Sequence, residues 1–346
     1  MHTSRRHFLA LAAVALLSVA ARAHAPAPAP FKLDHRITLG GAGGWDYLYA
    51  DPAAHRLYVS HSTKAIVVDT RTDSVIGEVA PAPGIHGIAI APELGRGWTS
   101  NGRDSSVTVF DTHTFATLAT VKLPARNPDA ILYDPASRRV FTFNGGSSNA
   151  TVLDARSNEV VGTVPLGGTP EFAVVDGAGK LWVNLEDSSA IVVLDTHRLN
   201  VRGRWPIAPG EGPSGLALDR AHHRLFAACG NKTLVVVNSE NGHVVATAPI
   251  GEGVDAVVYD AARGLVLTSN GEGTMTVVRQ DSPDRYHVVE TVTTERGART
   301  LALDSVTGAV YSATADYGPP PAPTPERPHP RPSLVPGSFR VLVIKP

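Results

Sequence analysis

The sequence predicts an all-β fold: a seven-bladed β-propeller of four-stranded antiparallel blades, with the last blade closed by the N-terminal strand. Three observations predict it. Aspartates recur at Asp51, Asp134, Asp176, Asp219, Asp260 and Asp304, with gaps of 42, 43, 41 and 44 after Asp134. The gap of 83 before Asp134 holds one further copy, in which Ala91 takes the place of the acid. A fixed period of this length marks stacked supersecondary units. Within a copy, four short β-rich runs alternate with Gly, Asn, Asp and Ser turn chemistry. Finally, the seventh copy lacks one strand at the C-terminal end, and a matching run stands near the N-terminus.

Along the chain, residues 1–25 come first. "MHTSRRHFLALAAVALLSVAARAHA" has a basic start, an apolar run from Phe8 to Ala21 and small residues at A-x-A spacing, the pattern of a cleavable export signal. Arg5 and Arg6 before Phe8-Leu9 match the twin-arginine address for export of folded proteins, so a periplasmic or secreted location is expected. Residues 26–30, "PAPAP", read as an extended spacer. Removing residues 1–25 takes away Arg5, Arg6 and Arg22 and no acid, leaving 28 bases against 32 acids, a net −4 with neutral His. A mildly acidic chain has no electrostatic footprint for nucleic acid, and none is expected as a partner. No membrane span is expected after the signal. Cys229 has no cysteine to pair with, so stability must come from burial and ring closure.

Residues 31–346 form the propeller. In the third copy the runs are Ala130 to Tyr133, Val140 to Phe143, Ala150 to Leu153 and Glu159 to Pro165, separated by "DPASRR", "NGGSS" and "DARSN". Copies begin near Trp45, Ile85, Pro128, Pro170, Pro213, Val254 and Ala298. The seventh supplies "RTLALDS", "AVYSATAD" and "SFRVLVIKP", and "FKLDHRITLGG" at residues 31–41 resembles the fourth runs of other copies. A strand supplied from the far end removes two exposed sheet edges. The seventh copy also carries a Pro-rich insertion, 317–337, expected to be extended and semi-rigid.

The pieces "LYVSHSTKAIVVDTRTDSVIGEV" and "SVTVFDTHTFATLATVKL" resemble the YVTN repeat of YncE-like seven-bladed propellers, a likeness spanning essentially residues 31–346. It implies an exported, mostly binding-type protein and leaves the activity open, because one fold hosts many functions. No Trp-Asp pair closes a third strand, which sets the chain apart from WD40 repeats.

Loops alternate faces in a meander, so the entrances to the first strands share a rim with the loops between strands two and three. The entrances present Asp46, His86, Asp129, Glu171, Ser214, Asp255 and Arg299, at gaps of 40, 43, 42, 43, 41 and 44. The second set offers His61, Asn101, Asn144, Cys229 and Asn270, with Asn184 and Glu186 near the corresponding place in the fourth copy. Converging carboxylates raise one another's pKa unless a cation, a proton or donors balance them. Arg299 and His86 balance part of the excess. Carboxylate and amide oxygens are the ligand set of Ca²⁺ or Mg²⁺, so Asp129, Glu171 and Asp255 are the candidate metal ligands. The ring position is also similar to that of calcium-dependent gluconolactonase propellers. A turn role for the same acids, capping backbone N–H groups, stays open beside the site.

Two functions follow. One is a binding or interaction scaffold acting through the acidic rim, holding a small molecule or a periplasmic protein, with Arg327, His329 and Arg331 of the insertion able to face the carboxylates. The other is a divalent-metal-dependent, lactonase-like hydrolase or lyase at the channel mouth, with a carboxylate as base. No haem motif, nucleophile elbow or phosphate loop occurs; "GGAGG" at 40–44 leads into Trp45 with no helix to follow. His222 and His223 lack metal-ligand spacing and read as a solvated turn, and Trp98 and Trp182 read as packing between blades. A monomer is expected.

Overall fold

The computed structural model describes residues 30–324, 330 and 332–346. The export signal and nearly all of the spacer lie outside the described residues, as do Arg327, His329 and Arg331. Seven separate four-stranded antiparallel sheets follow one another, each built from consecutive strands except the seventh. Blades one to six have first strands Leu48–Asp51, Ile85–Ala91, Pro128–Asp134, Pro170–Val175, Pro213–Asp219 and Val254–Asp260. Blade seven contains Leu301–Leu303, Val310–Thr314 and Arg340–Lys345, and its outermost strand is Lys32–Thr38 from the other end of the chain. That strand pairs antiparallel with the C-terminal strand, Ile37 opposite Val341. The predicted closure is therefore the observed one.

The turn after each first strand explains the aspartate ladder. Asp134 is fully buried and accepts from the backbone N–H groups of Ala136 and Ser137 and from the Ser137 hydroxyl. Asp219, Asp260 and Asp304 do the same for their own turns. A short acceptor at this place offers the turning backbone a partner that the sheet cannot supply. In blade two, where Ala91 has no such oxygen, a one-turn 3₁₀ segment, Pro92–Leu94, makes the turn instead and ends on Gly95 at φ 61°. The ladder is thus fold chemistry on the face away from the ring of acids at the strand entrances.

Burial follows strand position. Second and third strands are nearly continuous apolar runs covered on both faces, as in "LYVSH" or "AIVVLD", whereas fourth strands alternate and face solvent. The core is divided into seven apolar clusters, each spanning one blade-to-blade junction. One joins blades one and two through Tyr58, Ile88 and Phe110; another joins blades seven and one through Ile37, Trp45, Val341 and Phe339. Trp98, fully buried, stacks at 5.9 Å on Tyr133 of the next blade and donates its indole N–H to Asn158. No helix among the described residues is long and apolar enough to cross a membrane.

Because the closing strand contributes to the blade seven to blade one core, its truncation is expected to be felt globally. Ile37→Ala, at a site 5% exposed, should lower stability by about 2–5 kcal/mol in urea unfolding. Val306→Ala, on a turn residue 77% exposed, should leave it within about 0.5 kcal/mol.

Candidate functional site

The first strands line the channel with small residues or aromatics. The residue after each ring position is Tyr47, Gly87, Ala130, Phe172, Gly215, Ala256 or Thr300. At Gly87 an added Cβ would meet Ile131 at 2.8 Å, and at Gly215 the backbone of Val257 at 2.7 Å, so these blades approach too closely for any side chain. Tyr47 and Phe172 fill the space left over, their rings 5.3 Å apart. They border a channel cavity of about 200 Å³.

Polar side chains from the second strands fix where the entrances sit. Ser100 donates to the Asp129 carbonyl and accepts from Gly87 N–H at 2.8 Å. Ser269 donates to the Arg299 carbonyl, and Asn184 donates to the carbonyls of Ser214 and Gly215 at 3.1 and 2.9 Å. Ser60 accepts from Asp46 N–H at 2.8 Å, and Ser214 donates to the Val254 carbonyl at 3.1 Å. Asp46 is held within its own blade, and the entrances at Asp129, Ser214 and Arg299 are held by a second-strand side chain of the preceding blade. The fifth residue of the second strand, Ser or Asn in four blades, carried this signal in the sequence.

The structure brings the entrance residues together as one run of alternating charge. Arg299 Nε lies 3.1 Å from Asp255 and its Nη2 lies 3.5 Å from Asp46. Asp46 in turn is 2.6 Å from His86 Nδ1, and Asp129 is 3.7 Å from the same nitrogen. The order around the ring is therefore Asp255, Arg299, Asp46, His86, Asp129. Glu171 follows, and its two ring neighbours are Asp129 and Ser214, neither of them a cation. Among the described residues it has no ion pair.

Electrostatics follow from that order. Burial pushes the Glu171 carboxyl up, and Asp129, Glu186, Asp255 and Asp46 push it further, to about 8. Burial also raises Asp129 and Asp255, against the pull of His86 on the first and Arg299 on the second. For His86, burial opposes the charge, yet the hydrogen bond to Asp46 and the fields of Asp129 and Asp46 raise it to about 9. Tyr47 is held far above the ordinary phenol value by burial and by the four ring carboxylates, with Asp129 the strongest of them. Its hydroxyl faces the Asp129 carboxylate and helps hold that acid down, a role the sequence pattern left unassigned although Tyr47 is one of only two bulky residues at its register.

The second set of rim residues behaves differently. Asn101, Asn144 and Asn270 are fully buried inside their own blades. Asn144 donates to Asn149 and Thr151 and accepts from Thr142; Asn270 donates to Thr274 and Thr276 and accepts from Thr268. Thr99, Ser106 and Thr108 enclose Asn101 in the same way. These amides hold the turn into the third strand and present no oxygen to the mouth. Asn184 belongs one register earlier, the Asn101 position in blade four being Leu185. His61 is 3% exposed and stacked flat on Phe339 at 4.2 Å. Cys229 is buried, which pushes its thiol to about 12 and leaves it unreactive at neutral pH. His222 bonds Asp219 at 2.7 Å within its own turn.

Metal-capable geometry falls on a different trio from the one expected. Donor atoms of Asp46, His86 and Asp129 all lie within 4.8 Å of one another. Asp255 is engaged by Arg299. A hard ion prefers oxygen donors, and His86 would have to release its proton, so the trio fits Ca²⁺ or Mg²⁺ less well than an all-oxygen set.

The insertion begins and ends at this rim. Tyr317 and Leu334 form an antiparallel bridge, Gly318 N–H donates to the Ser333 carbonyl at 2.8 Å, and Gly337 N–H donates to the Gly41 carbonyl at 2.7 Å.

Both shifted groups tie stability to pH with the same sign. Glu171 rises from 4.5 to about 8 and His86 from 6.5 to about 9, so the native state binds more protons than the unfolded chain between these values. Their contribution is complete below the unfolded values and is lost as pH rises through the folded ones. The thermal midpoint should fall between pH 5 and pH 9, and Glu171→Gln should flatten the part of that fall below pH 8. A calorimetric series across this range checks it.

No family model matches the chain, and no curated protein matches it. Among matching solved structures, the hydrazine synthase of Kuenenia stuttgartiensis is similar over 78% of this chain and 92% of that one, with a TM-score of 0.67 and 16% identity. At that identity the likeness shows a shared β-propeller fold and nothing of activity.

Proposed function

We propose that the chain is an exported, YncE-like binding scaffold that takes up a cationic ligand at the acidic channel mouth. The repeat pieces quoted above and the leader pattern support the class and the location. The observation that carries the ligand class is the excess of four ring carboxylates over two cations, with Glu171 left beside Asp129 and no positive neighbour. A cation seated there replaces the protons that these carboxyls otherwise retain near neutral pH. Binding therefore weakens as pH falls.

The experiment is calorimetric titration and thermal unfolding at pH 7.5 with Ca²⁺, Mg²⁺ and tetramethylammonium. At least one should bind saturably with proton release and raise the midpoint. The gain approaches about 2.7 kcal/mol at a hundredfold excess over Kd. Glu171→Gln and Asp129→Asn should each weaken binding at least about tenfold, that is about 1.4 kcal/mol. No binding by any of the three sinks the proposal.

A second function, metal-dependent hydrolysis of a lactone, is favoured by one observation: the proximity of Asp46, His86 and Asp129. Those three would hold the ion, which when bound supplies Lewis-acid polarisation of a carbonyl. Tyr47, whose hydroxyl faces Asp129, would orient that carboxylate. Turnover of a simple aldonolactone that depends on added ion and disappears in His86→Ala separates this function from plain binding.

A further inference from the structure

Beside the acidic mouth, a cleft of about 400 Å³ opens between the base of the insertion and the junction of blades six, seven and one. Its walls are of a different character. Trp45, Tyr317, Pro332 and Leu334 supply apolar surface, and Arg296 and Arg299 supply positive charge. We propose that this cleft binds a small organic anion with a planar apolar body, such as an aromatic carboxylate, through Arg296.

Four observations converge on that chemistry. The Arg296 guanidinium stands over the Tyr317 ring at 5.4 Å and has no carboxylate partner among the described residues, whereas Arg299 is shared between Asp46 and Asp255. A guanidinium stacked on a ring keeps its N–H edge free, and that edge matches a carboxylate in bidentate fashion. Trp45 lines the same cleft and adds a broad aromatic wall on the side of blade one.

The fourth observation is that the cleft is built rather than incidental. Tyr317 is fixed by its bridge to Leu334 and by Gly297, which has φ 83° and where an added Cβ would lie 2.0 Å from the Tyr317 hydroxyl. Ordinary surface loops do not need a glycine to seat a tyrosine against them. Size agrees as well, since about 400 Å³ falls within the range of small-molecule sites. The insertion, absent from the other six blades, thereby acquires a purpose at its base: it supplies two walls of a pocket that the bare propeller lacks.

The anion site centres on Arg296, which takes no part in the ring of charges, although Arg299 borders both the cleft and the ring. The test is titration of the full chain with benzoate and 1-naphthoate in the presence of a chelator, with benzamide as the neutral counterpart. At least one carboxylate should bind saturably at or below about 1 mM and at least about tenfold more tightly than benzamide. Arg296→Gln should remove that preference while leaving the thermal midpoint unchanged, and Arg296→Lys should restore part of it. Gly297→Ala, which displaces Tyr317, should weaken both carboxylates. Equal binding of benzoate and benzamide, unchanged binding in Arg296→Gln, or no saturable binding by either carboxylate overturns the inference. Chelation keeps the outcome separate from that of the mouth.

Discussion

The ring must close, and everything else in the molecule depends on that. Seven apolar clusters each lie between two blades, so no blade has a core of its own. Blades seven and one share theirs through Tyr311, Val341 and Leu57, and Lys32–Thr38 completes it with Ile37 as it pairs with the C-terminal strand. With a single buried cysteine and no second one to pair with, the two ends of the chain are joined by this strand pairing and the apolar cluster around it, not by a disulfide. This closure also sets the geometry of function, because a closed ring turns seven equivalent strand entrances into one mouth.

At that mouth the repeat forces side chains of like position into one partly buried space. Four of the seven are acids, and the fold must place cations between them or accept protonated carboxyls. Both outcomes occur. From Asp255 to Asp129 the charges alternate, each cation bridging two acids. At Glu171 the alternation stops, and the carboxyl holds its proton to about pH 8. One blade further on, Ser214 turns its hydroxyl to the next blade and adds no charge. The asymmetry gives a symmetric fold one distinct sector, which is what a binding site on a repeat scaffold requires.

The fold was legible in the sequence because period, turn chemistry and strand patterning all point one way, down to the strand borrowed from the N-terminus. The ring of acids was legible too, since register alone brings equivalent residues together. What register does not give is the direction in which a side chain spends its hydrogen bonds. Asn101, Asn144 and Asn270 share the rim by position, yet neighbouring Thr and Ser hydroxyls draw them inward. Asn184 stands one residue earlier than its apparent counterparts and reaches into the next blade, a shift that the loop length of blade four conceals. Tyr47 escaped notice because an aromatic in an apolar strand reads as core, and only the closed ring brings its hydroxyl to four carboxylates. The cleft beneath the insertion depends on contacts across nearly the whole chain, Trp45 to Leu334, and no local pattern announces it.

The central claim is that the mouth carries unmet negative charge focused on Glu171. It is tested most directly by nuclear magnetic resonance titration of the glutamate side-chain carboxyls, with Glu171→Gln identifying the signal. The account predicts a Glu171 carboxyl that titrates near pH 8 in the free protein and shifts downward once a saturating cation is present. A carboxyl that titrates in the ordinary glutamate range, unmoved by any cation, contradicts it.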